Sequence, residues 1–368
     1  MKIMYCITRS NWGGAQANIY GLIEDQITNN NQVILVVGET GELTRRVEKL
    51  DNVEIIYLSE LKRSLSPYDD FRAVMRLRKI IRSHRPNILH LHSSKAGAVG
   101  RLATIGLINK PIVIFTAHGW AFTEGVGSKV KIVVYAYIEK FLAHFTDKII
   151  CVSKFDYDLA VKKKIFNSAN QGIVIYNGVD TPTCITHSEK SLGKVIITMT
   201  ARFDTQKNQL LLIQALGKLE SFNYELRLIG DGPFMEKCKL EVVQYSLQEH
   251  IKFYGFRSDV DKILKNSDIF ALITNYEGLP ISIIEAMSFS LPIIASDVGG
   301  ISEEVINGEN GYLVANEANI IADKVRYLIE NEMIRKSMGK KSKAIFLEKF
   351  QSSAFLTATN AVYLKLLS

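Results

Sequence analysis

The sequence predicts an α/β protein built from two doubly wound parallel sheets. Its 368 residues are enough for two domains of ordinary size. In both halves, short apolar runs alternate with longer helical patterns, an order typical of parallel strands connected by helices. Residues 181–193 are polar and unpatterned, which indicates a linker. We therefore expect an N-terminal domain at 1–180, a linker at 181–193 and a C-terminal domain at 194–349.

The first half carries seven candidate strands and four clear helical patterns. The strands are expected at 2–7, 33–37, 53–57, 87–91, 112–116, 148–152 and 172–176. The helices are expected at 15–28, 69–84, 95–106 and 128–145. Because ligands of such sheets bind beyond the carboxyl ends of the strands, the loops that follow the strands are the places to look for a site.

The second half repeats the pattern with different loops. Its strands are expected at 195–200, 225–229, 251–254, 269–273 and 291–295. Its helices are expected at 208–219, 281–289, 317–331, 332–348 and 352–367. No low-complexity stretch or internal repeat interrupts either half, so two ordinary sheet domains remain the prediction.

The composition is that of a globular protein with an ample core, at 47% hydrophobic and 23% charged residues. The four cysteines are far apart and show no C-x-x-C pair, which favours a reducing setting over a disulfide framework. The short apolar N-terminus predicts a strand, not a signal peptide. Residues 1–180 carry 24 Lys and Arg against 16 Asp and Glu, a net charge of +8. That half is expected to meet an anionic partner.

Two glycines, Gly13 and Gly14, follow the first predicted strand at the start of a helix. A glycine pair at this position either approaches a phosphate or a sugar closely or simply forms a tight turn. The pattern is not G-x-G-x-x-G, so a dinucleotide-binding fold is disfavoured.

Three histidines lie at strand ends. His90 and His92 could ligate a metal, but no third ligand is evident, so a polar strand end is favoured. His118 follows the next strand, and a ligand contact and a structural hydrogen bond explain it equally well. The Asp-x-Asp pair of Asp156 and Asp158 is better explained as helix capping than as a metal site.

The segment 68–86 is rich in cations. They are Arg72, Arg76, Arg78, Lys79, Arg82 and Arg85, interleaved with apolar residues. A helix with a solvated basic face is the favoured interpretation, and a face that lies against anionic lipid headgroups is the alternative. Nucleic acid is disfavoured because no basic platform with interleaved aromatic residues is present.

Arg202 and Lys207 surround the first strand-to-helix turn of the second half. A guanidinium gives paired hydrogen bonds and an ammonium gives a point charge, so two such cations at a helix start suit a diphosphate. Two exposed surface charges would explain the pair if it stood alone.

The segment 274–311 carries the strongest pattern in the chain. Gly278 allows a tight turn after the apolar run 269–273, and Pro280 fits the first position of the following helix. The free N–H groups of a helix start suit a phosphate. Glu277 before the helix and Glu285 inside it add carboxylates, which accept hydrogen bonds from sugar hydroxyls. The segment therefore predicts a site for a phosphorylated sugar.

Together these motifs resemble the retaining GT-B glycosyltransferases of family 4, whose signature contains Glu-x7-Glu. The matching motifs, in order, are Gly13-Gly14, His118, Asn177-Gly178-Val179-Asp180, Arg202 with Lys207, Gly230-Asp231-Gly232, Glu277 with Glu285, and Gly299-Gly300 followed by Glu303. The stretch 117–125 is similar to bacterial capsule and exopolysaccharide members. Ser302 stands where the family often has proline, a change expected to affect only loop stiffness.

The resemblance implies two Rossmann-like domains facing each other across a cleft, with residues 350–368 crossing back onto the first domain. It implies a catalytic group in which His118 and Glu277 contact the sugar while Arg202 and Lys207 hold the diphosphate. Glu285 would bind the nucleotide ribose. The implied donor-binding residues are Gly13, Gly14, Arg202, Lys207, Arg257, Glu277, Gly278, Leu279, Pro280, Ile281 and Glu285.

The implied reaction moves a hexose or an N-acetylamino sugar from a UDP-sugar with retention, without a metal or other cofactor. The expected acceptor is a polyprenyl-diphosphate-linked saccharide, and the expected location is cytoplasmic, peripheral on the inner face of the cell membrane. The basic half would meet that anionic membrane. The alternatives are a GT-B sugar-nucleotide epimerase and a non-catalytic sugar-nucleotide-binding subunit. The oligomeric state is left open.

Overall fold

The structure is a computed structural model that describes residues 1–64, 66–182, 193–219 and 221–368. The described chain forms two compact units: Met1–Asn177 with Ser352–Ser368, and Gly178–Gln351. Most of the predicted linker, residues 183–192, lies outside the described residues, and so does Cys184. The predicted domain boundaries stay predictions.

The first unit contains a parallel sheet of seven strands. The strands are β1 (Lys2–Ile7), β2 (Gln32–Val37), β3 (Val53–Tyr57), β4 (Ile88–His92), β5 (Ile112–Ala117), β6 (Lys148–Cys151) and β7 (Gly172–Val174). The helices between them are α1 (Gly14–Thr28), α2 (Glu42–Val47), α3 (Pro67–His84), α4 (Ser94–Ala103), α5 (Lys129–Ala143) and α6 (Lys154–Lys162). The strand order is β3-β2-β1-β4-β5-β6-β7.

The second unit contains a parallel sheet of six strands. The strands are β8 (Val195–Thr200), β9 (Tyr224–Ile229), β10 (Ile251–Gly255), β11 (Ile269–Leu272), β12 (Ile293–Ser296) and β13 (Gly311–Val314), in the order β10-β9-β8-β11-β12-β13. The helices are α7 (Gln209–Leu216), α8 (Met235–Gln244), α9 (Val260–Lys265), α10 (Ile281–Ser288), a 3-10 helix (Gly299–Glu303), α11 (Ala318–Glu330) and α12 (Glu332–Lys349). The last helix, α13 (Ser352–Leu367), belongs to the first unit.

The sheet of the first unit is buried on both faces, as expected when every connection is a crossover. In β1, Met4 faces one hydrophobic cluster and Tyr5 faces the other. The first cluster is covered by α3, α4 and α5, and the second by α1 and α13. Val362 and Tyr363 place α13 in the core of this unit.

The predicted fold class, two doubly wound parallel sheets, is confirmed. The sequence pattern did not predict the helices α2, α8 and α9 or the four-residue strand β13. The two-turn helices α2 and α9 and the strand β13 are too short to show a clear period, and contacts made elsewhere in the chain hold them. In α2, the N–H groups of Leu43 and Thr44 donate to the carbonyl and the Oγ of Ser10, at 2.8 and 3.1 Å.

None of the helices in the described ranges combines the length and the apolar content needed to cross a bilayer.

Candidate active site

Two loops of the second unit meet because they follow neighbouring parallel strands. The loop after β8 and the loop after β11 leave the same edge of the sheet. Lys207 and Thr274 form a β-bridge, and the N–H of Asn275 donates to the carbonyl of Gln206 at 2.8 Å. The two loops therefore bring side chains that are 70 residues apart in sequence into contact.

An ion pair joins Lys207 to Glu277, with the lysine Nζ against the glutamate Oε1. Thr274 Oγ1 donates to the same oxygen at 2.8 Å, and Gln206 Nε2 donates to Oε2 at 3.2 Å. The two charged side chains are 12% and 7% exposed. We call Gln206, Lys207, Thr274 and Glu277 the lysine–glutamate cluster. A buried charge pair of this kind is stable only when further hydrogen bonds satisfy it, and here they do.

Arg202 lies at the start of the same loop and keeps a more exposed guanidinium, at 43%. Its Nη2 is 3.1 Å from Asp204 Oδ2. The other oxygen of Asp204 accepts from the backbone N–H groups of Gln206 and Lys207, at 3.0 and 3.3 Å. Asp204 therefore shapes the loop that carries both predicted cations, a role that the sequence motif did not reveal.

Glu285 lies half-buried on α10. Burial raises its pKa to about 7, and the negative charge of Asp261 on α9 raises it further. Burial also raises the pKa of Asp261 itself, with a contribution from Asp180. The Glu285 carboxyl is therefore poised between its neutral and ionised forms near neutral pH.

Arg257 lies exposed between β10 and α9. Its Nε and Nη2 donate to the two carboxylate oxygens of Asp259, each at 2.8 Å. This bidentate pair holds the pKa of the Asp259 carboxyl below its usual value. The contact of Arg257 with a nucleotide stays a prediction.

The turn from Glu277 to α10 differs in one detail from the expectation. Pro280 is the N-cap of α10, and Ile281 is the first helical residue, so the prediction of Pro280 at the first position was wrong by one residue. The N–H of Ile283 donates to the carbonyl of Pro280 at 3.0 Å, which closes the first turn. The side chains of this turn are unavailable to a ligand, because Gly278, Leu279 and Ile281 are buried. The turn can therefore offer a ligand its backbone groups more than its side chains.

The glycine pair after β12 packs on the turn that carries Glu277. Gly299 has a φ of +60°, and a Cβ at this position would lie 2.0 Å from the carbonyl oxygen of Glu277. The N–H of Gly300 donates to the carbonyl of Gly278 at 3.0 Å. The glycine pair thus makes a close approach to the backbone of the Glu277 turn.

Glu304 is a buried acid that sequence reasoning missed in favour of its neighbour Glu303. Its side chain is fully buried, and within the described part of the chain its two oxygens have no hydrogen-bond partner. Burial, followed by the charge of Glu277, raises its pKa well above the usual value. No local signal in the sequence distinguishes Glu304 from Glu303.

In the first unit, Gly13 is the N-cap of α1 and Gly14 is its first residue. Gly14 is exposed and Gly13 is half-buried. Gln16 on the first turn donates from Nε2 to the carbonyl of Arg9 at 3.0 Å, which ties the preceding loop to the helix. The start of α1 thus presents an open backbone, and its contact with a ligand stays a prediction.

His90, His92 and His118 form what we call the histidine stack. The rings of His90 and His92 are 4.2 Å apart, and those of His92 and His118 are 5.2 Å apart. His90 Nδ1 is 2.6 Å from the Tyr363 hydroxyl, and its Nε2 is 2.7 Å from Thr116 Oγ1. These hydrogen bonds support the interpretation of the His-x-His pair as a polar strand end.

Every member of the histidine stack is neutral at pH 7. Burial lowers the pKa of His118 to about 4. Burial, with the neighbouring His118, lowers the pKa of His90 to about 3. The pKa of His92 also lies well below its usual value, through burial and then through His90 and His118. The predicted sugar-contacting residue His118 is half-buried at the end of β5 and carries no charge.

The hydrogen bond between His92 Nδ1 and His118 Nε2, at 2.9 Å, restricts the tautomers of both rings. His92 Nε2 is buried without a partner among the described residues. If the proton were on Nε2, its N–H would be buried without an acceptor, which costs free energy. The proton of His92 therefore lies on Nδ1. His92 then donates to His118, and the proton of His118 lies on its Nδ1.

The capping interpretation is confirmed for Asp156 of the Asp-x-Asp pair. Asp156 lies in the first turn of α6, where its N–H donates to the Oγ of the N-cap Ser153 at 3.0 Å. The Ser153 hydroxyl in turn donates to Asp156 Oδ2 at 2.8 Å. Asp158 pairs with Lys154 one turn away.

Comparison with known proteins agrees with this architecture. The family model described as Glycosyltransferase Family 4 matches residues 12–182, and that described as Glycosyl transferases group 1 matches residues 183–345. The chain is 31% identical to the UDP-Gal:alpha-D-GlcNAc-diphosphoundecaprenol alpha-1,3-galactosyltransferase of Escherichia coli, over 84% of this chain and 82% of that protein. It is 30% identical to the O-antigen biosynthesis glycosyltransferase WbnH of Escherichia coli, over 96% of this chain and 97% of that protein.

Among solved structures, the Anabaena HepE protein in complex with UDP and glucose has a TM-score of 0.83 at 20% identity, covering 98% of this chain and 99% of that one. This likeness concerns the fold. The relatives, the matched families and the two parallel-sheet units together show that the chain belongs to glycosyltransferase family 4, the group 1 glycosyltransferases with the GT-B fold.

Proposed function

We propose that the protein transfers a sugar from a UDP-sugar to a polyprenyl-diphosphate-linked saccharide, with retention of anomeric configuration and without a metal ion. The observation that carries the proposal is the lysine–glutamate cluster at the carboxyl ends of β8 and β11, beside the exposed guanidinium of Arg202. Cations next to a helix start suit a diphosphate, and a carboxylate next to them suits sugar hydroxyls.

Lys207 and Arg202 act on the leaving group. As the bond between the anomeric carbon and the β-phosphate oxygen breaks, negative charge accumulates on UDP. The ammonium of Lys207 and the guanidinium of Arg202 stabilise that charge, so they lower the barrier and take the place that a divalent cation would otherwise fill. Glu277 holds the Lys207 ammonium in place and accepts hydrogen bonds from the sugar.

His118 acts on the sugar as a neutral group. Positive charge develops at the anomeric carbon in the transition state, and an imidazole whose pKa is about 4 does not repel it at pH 7. The acceptor oxygen bonds to the same face that the phosphate leaves, and the leaving phosphate oxygen takes the acceptor proton. Glu285, on α10, binds the ribose hydroxyls.

The acceptor is proposed from the relatives. The Escherichia coli galactosyltransferase is named for UDP-Gal and for a sugar on diphosphoundecaprenol, and another relative is named for capsular polysaccharide biosynthesis in Staphylococcus aureus. UDP-galactose and a GlcNAc-diphosphoprenol are therefore the first donor and acceptor to test. Such an acceptor places the reaction at the inner face of the cell membrane, with the protein bound there peripherally.

The test is a transfer assay with UDP-galactose, UDP-glucose and their N-acetylamino counterparts, in buffer containing EDTA. We expect UDP release that depends on the acceptor, and a product whose anomeric proton shows the α-configuration of the donor by NMR. An inverted product contradicts retention, and activity only after added Mg²⁺ or Mn²⁺ contradicts metal independence.

The same assay separates the alternative functions. A new sugar nucleotide formed without acceptor would indicate an epimerase. Binding of UDP-sugars without turnover of any acceptor would indicate a non-catalytic sugar-nucleotide-binding subunit.

A further inference from the structure

Helix α5 presents an apolar stripe to solvent. The exposed residues of the stripe are Val130, Val133, Val134, Tyr137, Ile138 and Phe141. They recur every three or four positions, so they share one face of the helix. The exposed fractions are high for apolar side chains, reaching 73% at Val130 and 70% at Tyr137. A contiguous patch of this kind marks an interaction surface.

The exposed charges of α5 itself have one sign. Lys129, Lys131 and Lys140 are exposed on α5. The one acid of the helix, Glu139, is turned inward and buried. Its Oε2 is 2.8 Å from Nη2 of Arg101 on α4, which is itself fully buried. This internal ion pair fixes the rotation of α5, so the apolar stripe and the lysines face outward while the acid does not.

A groove in the same unit continues the apolar surface. An open groove of about 330 Å³ lies between α4 and α5. It is lined by Ala98, Leu102, Tyr137, Ile138, Phe141 and Leu142. Three of these residues also belong to the exposed stripe. A lipid chain that reaches the stripe therefore finds an apolar recess beside it.

The basic helix α3 is a poorer candidate for the same role, although the sequence singled it out. Arg72 and Arg76 both pair with Glu60, at 3.4 and 2.6 Å. Arg78 instead donates to backbone carbonyls at the end of α4. Two of the cations of α3 are thus paired with an acid. The lysines of α5, in contrast, lie beside an apolar stripe, and α5 exposes no acidic side chain.

We propose that α5 is the membrane-contacting surface of the protein, with its apolar stripe in the interface of an anionic bilayer and its lysines at the lipid headgroups. An apolar helix face with a cationic rim is the arrangement that binds such interfaces. The inference rests on the proposed function, because a lipid-linked acceptor requires the enzyme to work at a membrane.

Vesicle flotation tests the surface directly. Wild type is expected to float with vesicles of phosphatidylcholine and phosphatidylglycerol, and much less with phosphatidylcholine alone. The double variant Val134→Asp/Tyr137→Asp is expected to lose binding by at least about tenfold, because two charges enter the apolar stripe. Lys129→Gln/Lys131→Gln is expected to weaken binding to the anionic vesicles by about fivefold for each lysine.

Two matched double variants serve as controls. Leu240→Asp/Val243→Asp changes two exposed apolar residues on α8 of the second unit and should leave vesicle binding unchanged. Phe71→Asp/Met75→Asp does the same on α3 and should have a smaller effect than the α5 pair. Equal melting temperatures establish that all four proteins are folded. Loss of binding in the α3 pair with retention in the α5 pair overturns the proposal.

Two further outcomes also overturn it. Wild-type protein that binds neither kind of vesicle overturns the proposal. A dimer in gel filtration that Val134→Asp/Tyr137→Asp dissociates would make the stripe a protein interface. Failure of the proposed function is distinguishable, since the α5 variants should still transfer sugar to a short-chain, water-soluble acceptor. Wild-type protein that floats with the vesicles but transfers no sugar would support the membrane-contacting surface and contradict the proposed transferase activity.

Discussion

The two units place different kinds of polar group at the carboxyl ends of their strands. In the first unit, the histidine stack is uncharged and mostly buried, and each ring is held by hydrogen bonds or by stacking. In the second unit, the lysine–glutamate cluster is ionic, and two neutral side chains complete the hydrogen bonds of its carboxylate. Both arrangements pair most of their buried polar atoms, but only one of them keeps charge.

This difference fits the two ends of a sugar nucleotide. A diphosphate is anionic and needs fixed cations, since its charge increases as the sugar leaves. A sugar is neutral and becomes positive at the anomeric carbon, so uncharged donors and acceptors suit it better than a histidinium. The proposed roles of the two clusters follow from this electrostatic difference.

The largest effect is expected from Lys207→Met in the lysine–glutamate cluster. The change leaves the Glu277 carboxylate buried without its cation, which should lower the free energy of unfolding by about 3–5 kcal/mol. Transferase activity should fall by about 10²–10³-fold, because a cation that stabilises the leaving group is lost. Denaturant titration and initial rates measure the two quantities.

Adding Glu277→Gln to that variant provides the control. The double variant removes the unpaired charge, so stability should partly recover while activity stays low. Recovery of activity together with stability would mean that Lys207 only holds the fold.

A smaller loss is expected from Gly299→Ala. The new methyl group would lie 2.0 Å from the Glu277 carbonyl, and alanine at a φ of +60° is strained. Strain of this kind costs about 1–3 kcal/mol, and the displaced Glu277 turn should lower kcat about tenfold or more. The matched control is Gly308→Ala, at a φ of +83° with open space around it. Equal losses of kcat in the two variants would show that the close contact with the Glu277 carbonyl does not matter for activity.

The affinity for UDP-glucose is expected to depend on pH through Glu285. Its pKa of about 7 means that the ionised form, which accepts hydrogen bonds from ribose hydroxyls, dominates only above pH 7. Affinity should therefore fall as pH drops through 7, by up to about tenfold from about pH 8 to about pH 6. The diphosphate of a UDP-sugar does not titrate in this range. Glu285→Gln should flatten the profile, and a steeper fall in that variant would contradict the assignment.

The smallest effect is expected from His92, which positions His118. His92→Phe removes the hydrogen bond that sets the His118 tautomer, and kcat should fall about threefold to tenfold. The UDP affinity should not change. His92→Asn keeps an N–H donor near the same place and should restore part of kcat. Equal losses in the two variants would indicate a packing role only.

Lys207 and Glu277 could be singled out from the sequence because a strand, a turn and a helix start lie within a few residues of each. Their ion pair could not be predicted, because it depends on β8 and β11 being neighbours in the sheet. The histidine stack was not predictable as a unit, because it depends on the register of β4 against β5 and on Tyr363, 273 residues from His90. Likewise, nothing local distinguishes the buried Glu304 from Glu303.

The orientation of α5 also lies beyond the sequence pattern. The helix is apolar around most of its circumference, since Ile132, Tyr135 and Leu142 pack inward while Val133 and Tyr137 face outward. The spacing of apolar residues alone does not predict which face of such a helix is buried. The buried pair of Arg101 and Glu139 selects it, and that pair joins two helices.

The most direct test of the division between the two units is calorimetric titration of UDP into wild type, Lys207→Ala and His118→Ala. UDP carries the diphosphate and lacks the sugar. The account predicts that Lys207→Ala loses most of the affinity for UDP while His118→Ala binds UDP as wild type does but has a strongly reduced kcat. Unchanged UDP binding in Lys207→Ala, or its loss in His118→Ala, would contradict it.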